Sequence, residues 1–281
     1  MNKTILSIFA ASALFFMLQT ADAQVKLPPA SSTQTITQGV GIKKISLTYQ
    51  RPNINGRVVF GELVPYGEVW RTGANNIPTI AFEEEVNIQG NKVPAGTYGL
   101  FTIPNQNDWT IILSKNVQQW GAYQYKQEED FLRFNVKPRK TAQKVETFTI
   151  NFGDVTPSST NVILAWENTQ VEFTIKVDQS TEIIASLEQA MQGEKKPYFQ
   201  AAQYYFSNGL DLKKAVAWIN EADKGNDKAP YIKYWKARIL LKAGDKAGAT
   251  QAAKEGIAIA EKANNGEYIK LNNQVLSEAA K

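Results

Sequence analysis

The sequence predicts a β + α protein of two domains, an antiparallel β-sandwich followed by TPR-like α-helical hairpins. Three observations carry this prediction. Between Val40 and Val177, apolar residues recur at every second position, the period that sends alternate side chains to opposite faces of a sheet. Turn-forming residues interrupt these runs at short intervals, with no helical pattern between them. At Asp178 the spacing changes to that of a helix, and the helical part then repeats itself.

In the first half, Ile45, Leu47 and Tyr49 alternate with Ser46 and Thr48. Trp109, Ile111 and Leu113 follow the same rule, as do Leu132, Phe134 and Val136. Later come Phe148, Ile150 and Phe152, then Val162, Leu164 and Trp166, then Val171, Phe173, Ile175 and Val177. Asn55-Gly56, Gly90-Asn91, Pro94-Ala95-Gly96, Pro104-Asn105 and Gly153-Asp154 suit tight reversals. Roughly eight or nine strands, with no repeat that would close a barrel, point to a sandwich. The run Pro94 to Pro104 is bracketed by prolines and reads as an edge strand. Lys26 to Gln38 reads as a short lead-in strand or extended arm.

In the second half, Ile183, Ile184, Leu187 and Met191 form one helical face. Further helices are predicted at 197–207, 212–224, 229–242, 246–262 and 267–280. Tyr205, Gly209, Asp211 and Ala215 are echoed by Leu240, Gly244, Asp245 and Ala249, and Ala215 to Ala249 is a step of 34 residues. Gly-Asp turns, an alanine-rich second helix and Pro230 at the junction make this a tetratricopeptide-like repeat.

Met1 to Ala23 carries Lys3, an apolar run from Ile5 to Leu18 and the small-x-small ending Ala21-Asp22-Ala23. That is the pattern of a cleavable secretory signal, with an apolar core too short to span a bilayer. The domains are therefore expected as residues 1–23 signal peptide, 24–178 β-sandwich and 179–281 helical, in a periplasmic or secreted protein with no membrane span. A net charge of +4, with the charges interspersed, speaks for solubility and against a nucleic-acid partner.

The chain has no cysteine and no histidine. Disulfides, Ser-His-Asp and Cys-His nucleophiles and histidine-based metal sites are thereby excluded, and no Ser-x-x-Lys, Gly-x-Ser-x-Gly or P-loop string is present. No cofactor and no metal are expected. Carboxylate, lysine, tyrosine and arginine chemistry remain. The only enzymatic alternative is a carboxylate-dependent glycan hydrolase using Glu62 and Glu68. The Glu83-Glu84-Glu85 and Glu128-Glu129-Asp130 runs lack the alternate-ligand spacing of a calcium loop and read as solvated charges.

Arg51-Pro52, Gly56-Arg57 and the string Gly61-Glu62-Leu63-Val64-Pro65-Tyr66-Gly67-Glu68-Val69-Trp70-Arg71-Thr72-Gly73-Ala74-Asn75 resemble the family called domain of unknown function 2911. The strings Pro94 to Pro104 and Trp120-Gly121-Ala122-Tyr123 are similar to that family too. The resemblance covers roughly Pro28 to Val177. It implies an exported protein typical of Bacteroidetes-like bacteria, often with a helical tail, and it implies no activity.

Gly61 to Asn76 departs from the sheet pattern and concentrates the candidate site. Tyr66 and Trp70 offer flat faces, Arg71 a fork for an anion, Asn75 a donor and an acceptor, and Trp120 a second indole. Two readings stand for it: a small ligand or glycan surface, or a structural plug in which Trp70 seals the core and Arg71 pairs with Glu62 or Glu68. Arg51 and Arg57, flanking the Pro-Asn-Ile-Asn-Gly turn, read as solvated turn charges. The aromatic residues of the tail are mostly core by spacing, and stacked hairpins form a groove suited to a protein or peptide. The leading expectation is a non-enzymatic binding protein, and a structural envelope component without a ligand site is the third.

Overall fold

The computed structural model describes residues 27–226 and 228–281, and the expected signal sequence lies outside them. Contacts divide the chain into two compact units, one ending at Asp178 and one running from Gln179 to Lys281.

The first unit holds two antiparallel sheets. Strands β1 (Ser32–Val40), β2 (Lys43–Arg51), β3 (Thr79–Phe82), β6 (Gly96–Ile103), β7 (Trp109–Ser114) and β8 (Asp130–Val136) form one, in the order β1-β2-β3-β6-β7-β8. Strands β4 (Val86–Ile88), β5 (Asn91–Val93), β9 (Arg139–Thr156) and β10 (Ser159–Lys176) form the other, in the order β5-β4-β10-β9. The alternating residues of both sheets meet in one core: Ile45, Leu47 and Tyr49 from β2, Ile111 and Leu113 from β7, and Phe148, Leu164, Phe173 and Ile175 from β9 and β10. Two facing sheets sharing their inward side chains make a sandwich.

Three details differ from the sequence reading. Strand β6 lies between β3 and β7, not at an edge. Pro94 and Pro104 sit just outside its ends, so neither is asked for a ladder hydrogen bond. Gly153-Asp154 lies within β9, and the reversal into β10 falls at Pro157-Ser158. Positive φ at Asp154 (47°) accompanies a register slip between Ser159 and Asn161, which marks a bulge. Asp130 is not solvated: its carboxylate accepts from the Tyr125 hydroxyl at 2.8 Å and pairs with Arg133 at 2.9 Å. Burial, together with the hydrogen bond to Asp130, pushes the Tyr125 phenol up to about 12.

Strands β6 and β7 are covered on both faces. Phe101 and Ile112 point away from the main core and close a smaller cluster with Ile77, packed by Val69, Ala122 and Tyr125. This second layer makes Gly99 a tight position, because a Cβ there would run into the Asn116 carbonyl oxygen and meet Ile77 Cδ1 at 2.8 Å. The Gly99→Ala variant is expected to lose about 1–3 kcal/mol by overpacking. Urea denaturation checks this, and an unchanged midpoint would contradict the packing described.

The second unit consists of α1 (Ser180–Ala190), α2 (Tyr198–Ser207), α3 (Leu212–Lys224), α4 (Pro230–Lys242), α5 (Lys246–Lys262) and α6 (Gly266–Ala279). Consecutive helices from α2 to α6 pack on one another. The repeated turns have a shared cause. Gly209 (φ 65°) and Gly244 (φ 86°) take the left-handed conformation that ends a helix, a state open to glycine without a Cβ penalty. Asp211 then caps α3 by accepting from the Lys213 and Lys214 backbone N–H groups, and Asp245 caps α5 by accepting from that of Gly248. Asn264 (φ 51°) and Asn265 repeat the device before α6, with Asn265 accepting from the Tyr268 backbone N–H. Inside the tail, Arg238 lies over the rings of Phe206, Tyr234 and Trp235 at 5.2, 5.5 and 4.9 Å.

Candidate functional site

The segment from Val69 to Ile77 is tied down along its length. Trp70 exchanges both backbone hydrogen bonds with Thr102 of β6, at 2.7 and 3.0 Å, and the hydroxyls of Thr72 and Thr102 meet at 3.0 Å in the interior. A second loop clamps it from the other side: the Gly121 N–H donates to the Asn75 carbonyl at 2.8 Å, and the Ile77 N–H to that of Gln119 at 3.1 Å. Two loops locked to a sheet give side chains fixed directions, which is what a binding surface requires.

Trp70 is half-buried and belongs to an aromatic cluster at the edge of the core. Its indole stacks on that of Trp166 at 5.8 Å with an interplanar angle of 13°, and it meets Phe148, Phe60 and Trp109 edge-on. The ring thus packs as a core residue does, yet it also lines a cavity of about 590 Å³ together with Trp166, Arg71, Arg57, Asn53 and Tyr123.

Arg71 does not pair with Glu62 or Glu68. Its Nε donates to the Gly73 carbonyl at 3.3 Å, and its guanidinium lies 5.9 Å from the ring of Trp120. Arg57 is no plain turn charge either, for it donates to the carbonyls of Ile54 (2.8 Å) and Asn53 (2.6 Å). Among the described residues, neither guanidinium has a carboxylate within ion-pair distance. Arg51, half-buried, reaches across to β9 instead, bonding the Phe148 carbonyl and the Thr149 hydroxyl. Glu62 and Glu68 are exposed, and the cavity lining includes neither.

The five predicted binding residues do not share one hollow. Trp70 and Arg71 do. Tyr66 lines a separate cavity of about 370 Å³ with Phe60, Trp109 and Arg139. Asn75 holds the two loops together through its backbone and lines none of the three cavities described. Trp120 stands 62% exposed, stacked on Tyr123 at 6.0 Å and 20°, and lines a third cleft of about 450 Å³ against the outer face of β2 and β3.

That cleft contains a residue the sequence did not single out. Gln119 is only 5% exposed, and both polar atoms of its carboxamide are buried without a hydrogen-bond partner. A buried amide left unpaired costs about 1–3 kcal/mol. Nothing in Val117-Gln118-Gln119-Trp120 distinguishes this glutamine from its exposed neighbour. Arg57, Tyr123 and Trp166 were equally hard to place, because each reads locally as a turn charge, a loop aromatic or a strand residue.

A two-sheet sandwich with aromatic and cationic cavities under its clamped loops, followed by an all-helical unit, is the class of protein these elements define. The family model described as "Protein of unknown function (DUF2911)" matches residues 31–175, just over half of the chain, and the chain belongs to that family. A search of curated proteins found no match, and a search of solved structures found none either. Among the described residues, no helix is long and apolar enough to cross a membrane.

Proposed function

We propose that this is an exported binding protein whose sandwich takes a small anionic ligand, an acidic glycan fragment foremost, in the cavity of Trp70 and Arg71. The carrying observation is the pairing of two guanidiniums, Arg57 and Arg71, with the indole of Trp70 around one hollow, neither guanidinium having an acid among the described residues. Arginines without internal carboxylates are open to a carboxylate or phosphate from outside, and the indole offers a flat face to a ring. Export rests on the Met1–Ala23 signal, with cleavage near Ala23 releasing the protein to the periplasm or beyond.

We read the helical unit as tetratricopeptide-like and as the part that engages a protein or peptide. Its turns repeat the same left-handed residue and N-cap. A hollow of about 290 Å³ lined by Asn220, Lys236, Gln251 and Glu255 offers polar groups to a peptide backbone.

The test is a titration of acidic and peptidoglycan-derived fragments against the chain lacking the signal, repeated with Arg71→Ala and Trp70→Ala. Arg71→Ala is expected to weaken binding about tenfold or more, as loss of a charge-assisted hydrogen bond does. Equal affinity in parent and both variants removes the reading.

A further inference from the structure

The cleft beside Trp120 is chemically unlike the arginine-lined cavity. No residue that lines it carries a charge. Its polar groups are amides and hydroxyls: Gln50, Asn76, Gln118 and Gln119, with Thr48 and Thr79 from the paired outer positions of β2 and β3. Trp120 adds a mostly exposed indole. Within this lining, Gln119 holds a donor and an acceptor that are buried and meet nothing in the protein.

We infer that this cleft is a second binding site, specific for a neutral carbohydrate residue. A charged ligand would leave water for a lining that gives it no counter-charge, whereas a neutral one loses far less. Side-chain amides both donate and accept, and hydroxyls do the same, which suits the closely spaced hydroxyl or acetamido groups of a sugar. An indole supplies the apolar contact that a pyranose face needs. The bond from the Ile77 N–H to the Gln119 backbone carbonyl fixes the stretch of chain that carries this unpaired carboxamide. The inference does not depend on the anionic reading of the Trp70–Arg71 cavity, and neutral and acidic probes are titrated separately so that either can fail alone.

Chitobiose and maltotriose serve as neutral probes, and trigalacturonate as the acidic one. In amide-detected NMR, a neutral probe is expected to shift the Gln119 side-chain NH2 and Trp120 indole N–H signals. Gln119→Met and Trp120→Ala are each expected to weaken that binding at least tenfold, while Val155→Ala, an exposed change on β9, leaves it unaltered. Thermal melting gives the independent check. A Gln119→Met variant exchanges an unpaired buried amide for an apolar chain of similar length, so it melts no lower than the parent. Silence of both NMR signals with both neutral probes, binding undiminished in Gln119→Met, or a fall of several degrees in its melting temperature would each overturn the inference.

Discussion

Trp166→Ala is expected to lower the stability of the sandwich by about 3–5 kcal/mol, the range for deleting a large aromatic side chain from a core. Trp166 is 2% exposed, stacks on Trp70 and meets Phe60 and Phe148 edge-on. Its indole N–H also donates to the Glu146 carbonyl at 3.2 Å, so truncation empties a volume and removes one of the two hydrogen bonds that this carbonyl accepts. Phe148 is fixed by β9 and Trp70 by its two backbone bonds to Thr102, which limits how far the void can collapse. Urea denaturation followed by near-UV circular dichroism measures the loss, and a change below about 1 kcal/mol would show that the cluster repacks. The same variant removes the support of Trp70, so the ligand binding proposed for that cavity is expected to fall with it.

The second large effect lies in the helical unit. Lys233 of α4 pairs with Asp223 of α3 at 2.8 Å and with Glu255 of α5 at 2.7 Å, and Lys236 shares Asp223 at 2.8 Å. The Lys233 and Asp223 side chains are only 11% and 10% exposed. Lys233→Met leaves Asp223 with Lys236 alone and takes from Glu255 the lysine it pairs with, at an expected cost of about 3 kcal/mol, the low end for breaking a buried pair because Lys236 remains on Asp223.

The network also sets a pH dependence. Burial pushes Asp223 upward, but its hydrogen bonds to Lys233 and Lys236 outweigh this and hold it below its ordinary value of 3.8. The hydrogen bond from Lys233 likewise holds Glu255 below 4.5. Carboxylates lowered in the folded state stabilise it fully above their unfolded values, and the stabilisation is lost as pH falls through the folded ones. Melting followed at 222 nm should therefore show the gap between parent and Lys233→Met constant from about pH 5 to about pH 9 and narrowing through the acid range. A gap that stays constant down to about pH 2 would contradict the network.

The alternation of apolar residues made most of the sandwich legible, because each run has one buried and one wetter face. It failed where both faces are covered. Phe101 and Ile112 belong to a second layer that exists only because distant loops fold over β6 and β7. Parity along β10 carried a further message: Val162, Leu164 and Trp166 are even-numbered, whereas Val171, Phe173 and Ile175 are odd. All six are buried, and the register slips on either side of Glu167, whose φ is 54°, switch the parity. Helix ends in the tail were readable because their signals are local, an N-cap carboxylate or a left-handed residue. The candidate site was legible at Trp70 and Arg71, in an unusual string. Arg57 and Gln119 were not, since the cavity partners that give them a role, Trp70 and Arg71 for the one and Thr48, Gln50 and Thr79 for the other, lie far along the chain.

Strand β9 stands at the outer border of its sheet, and such borders invite pairing with another molecule. Here residues 52–54 occupy part of it: the Phe148 N–H donates to the Pro52 carbonyl, the Ile54 N–H to that of Glu146, and Asn53 bridges Thr147. The same short stretch supplies one wall of the arginine-lined cavity. Covering the border of the sheet and walling the cavity are consequently tasks of one piece of backbone, and a change that loosened it would at the same time uncover an unpaired seam for fibre-like growth.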